Sequence, residues 1–395
     1  MKPVNTLSFE KKVVLLRVDF NVPLNSDFKI LDDTRILSAL PTIKKILNKK
    51  NKLIIMSHLG RPNGRFEEKF SLTHLVKHLS NLLKKNVLFS PNCVGKPVLD
   101  RIKNMSYGDV LLLENLRFHA EEKSGNEAFA KELSKLADIY VNDAFGVCHR
   151  SHASTTVVAK YFKEKFSGEL LENEVAALEK ALKKPKKPLT AIIGGAKIKG
   201  KVDVISSLLD RVDNLIIGGG MAYTFIKAKG GNIGNSLCEK EKIPIASDLI
   251  KQAKEKGVSL FLPVDSVNAE SFNNNAKREV TDIYNISNLF MGLDIGEKTI
   301  SSFSKIILTS KTIIWNGPMG VFEMSNFQNG TLKILEAIVL ATKNGAFSVV
   351  GGGDSVSAIK KFDYSEGVSY ISTGGGAMLE YLEGKRLPGI IALEN

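Results

Sequence analysis

Cysteine is scarce: Cys93, Cys148 and Cys238 are three in 395 residues, odd in number and far apart. This argues against a disulfide framework and offers no zinc-ligand spacing. Tryptophan occurs once, as Trp315 inside an apolar run, so the mix of basic and exposed aromatic residues that nucleic-acid surfaces use is missing. No apolar run approaches the length of a bilayer span. The opening MKPVNTLSFEKK has neither the apolar stretch nor the small-residue cleavage site of a signal peptide. The expectation is a cytoplasmic chain without membrane or nucleic-acid partners. GxGxxG is also absent, which disfavours the main rival, a nucleotide-dependent dehydrogenase on a double α/β frame. Gly195–Lys201 does fit GxxxxGK, but Val202 follows where a P-loop needs Ser or Thr for magnesium.

Acidic residues are outnumbered, 42 against 55, for a net charge of +13. Lysines supply most of the excess, in spread pairs such as Lys44-Lys45 and Lys84-Lys85 at helix-like positions, and read as a solvated face. The rarer residues say more. Seven of ten arginines fall in the first 150 residues and all six histidines in the first 152, while 25 of 32 glycines follow residue 168. Arginine presents a donor fork to carboxylate and phosphate, and glycine lets backbone amides approach a phosphate. The first half therefore suits a small anion and the second a nucleotide.

A chain this long implies two or three domains. Short β-branched runs alternate with helical patterns: Val13–Val18, Leu53–Met56, Val110–Leu113 and Ile139–Val141, then Leu189–Ile193, Leu215–Ile217, Leu260–Val264, Thr312–Trp315, Phe347–Val350 and Tyr370–Ser372. Near-continuous apolar strands separated by helices mean buried parallel sheets built from βαβ units. Residues 169–182 read as one helix, and the prolines of 183–188 stop it, so 169–188 is the expected connector between domains 1–168 and 189–379.

Ligands of open parallel sheets bind beyond the carboxyl ends of the strands. In the first half those ends deliver Asp19 and Asn21, His58 and Arg61, Arg117, then Arg150, with Arg35 opening the helix after the first strand. One arginine after a strand is usually a surface ion pair, but five successive boundaries carrying Arg or His suggest a cationic cluster for phosphate and carboxylate. His74 and His78 fit a helix surface, and His119, His149 and His152 stay unassigned. In the second half the ends are glycine-rich, at 194–195, 218–220, 351–353 and 374–376, each before a helical pattern whose amides could receive phosphate. Lys197 and Lys201, four apart, would share one face of an opening helical turn. Asp354 reads equally as a magnesium ligand or a helix cap, and the lysines equally as solvated.

Taken together, RVDFNVP (17–23), SHLGRP (57–62), LLLENLRFH (111–119), VNDAFGVCHRSHAS (141–154), GGAKIKGKV (194–202), WNGPMGVFE (315–323), GGGDS (351–355) and STGGGAMLEYLEGK (372–385) resemble the phosphoglycerate kinase family, in order and along essentially the whole chain. Val147-Cys148 and Ser355 depart slightly from its pattern. The resemblance implies two Rossmann-like, doubly wound α/β domains joined by a connecting helix across a cleft, with hinge closure and a tail, 380–395, returning to the first domain. It implies a monomer acting on 3-phosphoglycerate or 1,3-bisphosphoglycerate and ATP or ADP, with Mg2+. The substrate would be held by Asp19, Phe20, Asn21, Arg35, His58, Leu59, Gly60, Arg61, Arg117 and Arg150. The nucleotide would be held by Lys201, Gly292, Glu323, Gly352, Gly353, Asp354 and Ser355, with Asp354 on the metal. Arg35, Lys197, Lys201, Gly352 and Gly375 would stabilise the transferring group.

Overall fold

The computed structural model describes residues 1–394. The chain separates into two compact units, Met1–Ala176 with the segment from Arg386 onward, and Ala177–Lys385. The division falls within the helix Glu169–Leu182.

The first unit is built on six parallel strands: β1 (Val13–Arg17), β2 (Lys52–Met56), β3 (Val87–Ser90), β4 (Val110–Leu113), β5 (Ile139–Asn142) and β6 (Glu164–Ser167), in the order β3-β4-β2-β1-β5-β6. Residues of β1, β2, β4 and β5 are buried almost without exception, because helices cover both faces of a sheet with this connectivity. Amphipathic helices such as Thr34–Asn48 and Thr73–Leu83 turn Ile36, Ile43, Leu75 and Leu79 onto it. Each such side chain contributes about 1.5–3 kcal/mol by leaving water. Strands β3 and β6 lie outside the expected runs. Both are edge strands of four residues, and β6 carries Glu164 and Lys165.

The second unit repeats the plan. It contains β7 (Leu189–Ile193), β8 (Asn214–Ile217), β9 (Asn232–Ile233), β10 (Ser259–Phe261), β11 (Asp265–Ala269), β12 (Arg278–Asp282), β13 (Asn285–Ile286), β14 (Met291–Ile295), β15 (Thr312–Asn316), β16 (Phe347–Val350) and β17 (Tyr370–Ile371). Its main sheet is parallel in the order β10-β8-β7-β15-β16-β17. Added to it are an antiparallel sheet β12-β11-β14 and the small pair β13-β9, neither expected from the apolar runs. In both main sheets the four central strands end in loops that carry most of the candidate site residues, while Gly292 lies on β14 and Gly375 follows the edge strand β17.

Candidate functional site

In the first unit the loop after β1 folds back on itself. Asp19 accepts from the Asn21 amide at 3.3 Å through Oδ1 and from Arg35 at 3.2 Å through Oδ2. The same Arg35 nitrogen donates to the Asn21 carbonyl at 3.1 Å. Phe20 is fully buried, and its amide donates to Ser57 Oγ at 2.8 Å. This ties the loop after β1 to the loop after β2.

Gly60 joins these loops to a third. Its amide donates to Asn21 Oδ1 at 2.8 Å, and its carbonyl accepts from Arg117 at 2.6 Å. The backbone there has φ +63°, and a side chain would run into the Phe70 ring, so glycine is required. Leu59 is buried and presents its carbonyl to Asn115 Nδ2 at 2.7 Å. Asn115 also caps the short turn Leu116–Phe118 by accepting from the Arg117 amide at 3.0 Å. Asp19, Asn21, Arg35, His58, Gly60 and Arg117 are thereby gathered by direct bonds and near contacts. Arg61 and Arg150 stand exposed, close enough for their charges to act on Arg117 and on His149 and His152 respectively.

His58 differs from expectation. It is buried beside Arg17, Arg117 and Arg35, and desolvation first, then those cations, hold its pKa well below the ordinary value. It belongs to the cluster as a neutral ring, not as a cation. His149 and His152 are pushed down to about 4, in both cases mainly by burial, and His119 stacks on Phe129 at 4.8 Å.

In the second unit a cavity of about 500 Å³ opens beside the glycine-rich loops after β7, β8 and β15, with Glu323 and Asp354 on its wall. Apolar side chains, among them Leu237, Phe272, Met291 and Val321, line another part. A cavity with an apolar wall beside several backbone amides suits a base and its phosphates. Gly292, on β14, faces the cavity where a side chain would overlap the Tyr223 hydroxyl and Ser266.

The helix Gly353–Lys361 starts from Gly352, whose φ of +94° turns the chain into it. Asn316 fixes this turn by donating to the Gly351 carbonyl at 2.9 Å, and Ser355 Oγ accepts from the Gly317 amide at 2.6 Å. Gly353 and Asp354 stand exposed in the first turn, where the helix dipole and free amides attract phosphate. Gly375 precedes the helix Gly376–Leu382 with φ +51°, in open space.

Lys201 is half-buried, and its Nζ donates to the Gly194 carbonyl at 2.5 Å and reaches the Asn316 carbonyl at 3.4 Å. Desolvation pushes its pKa down to about 8, against the pull of Asp354. The helix after it begins at Val202. Lys197 therefore lies in the exposed bend before the helix, and the two lysines do not share a helical face.

Sequence reasoning did not anticipate the apolar cavity wall or the buried Arg17, Ser154 and Glu122 behind the arginines. Large apolar residues left exposed, Phe272 at 64% and Leu237 at 45%, are the kind of signal that only the folded chain supplies.

The sequence matches the family described as phosphoglycerate kinase over residues 4–385. A phosphoglycerate kinase of Porphyromonas gingivalis is 49% identical over 99% of both chains, and one of Chlorobium phaeobacteroides is 48% identical over 100% of this chain and 99% of its own. Among solved structures, a phosphoglycerate kinase from Coxiella burnetii aligns with a TM-score of 0.89 at 43% identity, covering 99% of this chain and 98% of its own. One from Pyrococcus horikoshii aligns at 0.86 and 32% identity, covering 100% and 98%.

Proposed function

Because this chain belongs to the phosphoglycerate kinase family, whose reaction is phosphoryl transfer between 1,3-bisphosphoglycerate and ADP, we propose how its own residues divide that work. The dehydrogenase alternative has no support among the relatives. The first unit holds 3-phosphoglycerate through Asp19, Asn21, Arg35, His58, Arg61, Arg117 and Arg150, with Phe20, Leu59 and Gly60 shaping the loops. The second holds the nucleotide through Lys201, Gly292, Glu323 and 352–355, with Glu323 on the ribose.

Asp354 is the magnesium ligand in this reading. Among the described residues no group of three or more His, Cys, Asp or Glu could hold a metal. One carboxylate completed by nucleotide phosphate oxygens is a donor set that magnesium accepts. When bound, the ion would neutralise charge on those oxygens.

Both nucleophiles, the ADP β-phosphate and the 3-phosphoglycerate carboxylate, are anionic at neutral pH, so no general base is required. Catalysis then rests on in-line placement and on stabilising charge at the transferring group. Arg35, Lys197, Lys201 and the amides around Gly352, Gly374 and Gly375 carry that role. Closure of the two units about 169–188 brings the reactants together and excludes water from the acyl phosphate. In this reading the enzyme acts as a monomer in the cytoplasm, a reducing compartment in which its free cysteines would stay unpaired.

The observation that carries this reading is the separation of ligand chemistry. The arginine cluster lies wholly in one unit and the glycine-rich amides wholly in the other. Small-angle scattering with neither, one and both ligands tests it and also gives the molecular mass. The doubly liganded protein is expected to be the most compact. Equal compaction by either ligand alone would refute closure.

A further inference from the structure

Behind the arginine cluster runs a chain of buried polar groups that the substrate contacts leave unexplained. Arg17, the last residue of β1, is fully buried. Its Nε donates to Ser154 Oγ at 2.8 Å, one Nη group bonds the Val18 carbonyl, and the other lies 3.3 Å from His58 Nδ1. Ser154 links the guanidinium to a counter-charge. Its Oγ donates to Glu122 Oε1 at 2.6 Å and its amide to Oε2 at 2.9 Å. Glu122 is fully buried, so neither charge would be tolerable without the other.

We infer that Arg17, braced by Ser154 and Glu122, is a positioning residue that fixes His58 as the neutral tautomer protonated at Nε2. The argument is one of donors and acceptors. A guanidinium carries only N–H donors, so the ring nitrogen it faces must offer a lone pair. An imidazolium would set N–H against N–H. The competing partner of Nδ1, Asp19 Oδ1, lies at 3.6 Å, beyond hydrogen-bond range, and Asp19 already accepts from the Asn21 amide and from Arg35.

The other charged groups facing His58, namely Arg117, Arg35 and His152, all oppose a second proton, as does burial. Among the described residues no acceptor pairs with Nε2. The proton left there is a directed, uncharged donor available to a ligand oxygen among the arginines.

The consequence for binding rests on the proposed role of His58 toward 3-phosphoglycerate, whereas the tautomer can be read without any ligand. Nitrogen-15 spectra of the histidine-labelled, ligand-free enzyme should give Nδ1 unprotonated and Nε2 protonated at neutral pH, and should stay so as the pH falls through the range where an ordinary imidazole takes its second proton. A ring protonated at Nδ1, or doubly protonated at neutral pH, would overturn the inference.

The double substitution R17M/E122Q removes the donor and its counter-charge together, leaving no lone buried charge. Its His58 should take a proton at Nδ1, beside Asp19, and its KM for 3-phosphoglycerate should rise about ten- to a hundredfold with a smaller change in kcat. A folded double variant that keeps the Nε2–H tautomer refutes the positioning role. A changed tautomer with unchanged KM refutes substrate contact by His58 and leaves the tautomer assignment standing. Independently, H58Q, whose amide nitrogen can stand in for Nε2, should retain more affinity than H58N, which mimics Nδ1. The reverse order would count against the inference.

Discussion

The ammonium nitrogen of Lys201 sits 2.5 Å from the carbonyl oxygen of Gly194, at the carboxyl end of β7. Burial there leaves the side chain with a pKa of about 8, below its ordinary value. As pH rises through that value the charge is lost, and with it the attraction for phosphate. The kcat/KM for nucleotide, which reports the free enzyme, should therefore fall with an apparent pKa near 8. Lys201→Arg, charged throughout this range, should lack that alkaline limb. An unchanged limb in the variant would assign the titration to another group.

Arg35 bonds Asp19 and the Asn21 carbonyl, yet its side chain remains about a third exposed, at 34%. Arg35→Ala should lower kcat by roughly two to three orders of magnitude, as loss of a charge-stabilising donor does. The melting temperature should fall only modestly, because the Arg35 side chain is itself partly exposed and Asp19, although buried, keeps the Asn21 amide as a donor. Steady-state kinetics and calorimetric melting check the two halves of this statement.

Asp354 projects from the first turn of its helix and is exposed. Asp354→Asn should weaken binding of magnesium-nucleotide while leaving 3-phosphoglycerate affinity as it was. Isothermal titration with each ligand separates the two, and equal losses would contradict the division between units.

Gly60→Ala should act on several contacts at once. The substitution forces a side chain into left-handed backbone and against Phe70, at a cost of about 1–3 kcal/mol. It also displaces the groups that hold Asn21 and Arg117. Denaturant melts should register the destabilisation, and the KM for 3-phosphoglycerate should rise while that for nucleotide does not.

The central strands were legible in the sequence because a strand buried on both faces must be apolar throughout, as in Val14–Leu16 or Ile313–Trp315. The edge strand β6, with Glu164 and Lys165, and the antiparallel β12, with its charged Arg278, Glu279 and Asp282, lack that pattern, since partners on one side do not demand apolar residues. Arg17 shows the same limit at the site. Nothing about an arginine closing a strand reveals that it is buried against a serine–carboxylate pair. The neutrality of His58 follows from that burial, and no motif spells it out.

The segment from Arg386 belongs to the first unit although all of the second is encoded before it. Its helix Pro388–Glu394 packs near β6, and the Gly389 amide donates to the Cys148 carbonyl at 2.9 Å. Gly389 approaches Cys148 so closely that a side chain there would strike the thiol and backbone. During synthesis, which runs from the N terminus, the second unit can complete its sheet while the first still waits for its closing helix. The first unit to emerge from the ribosome is thus the last to be finished, and a chain stalled before Arg386 leaves the surface around Cys148 uncovered.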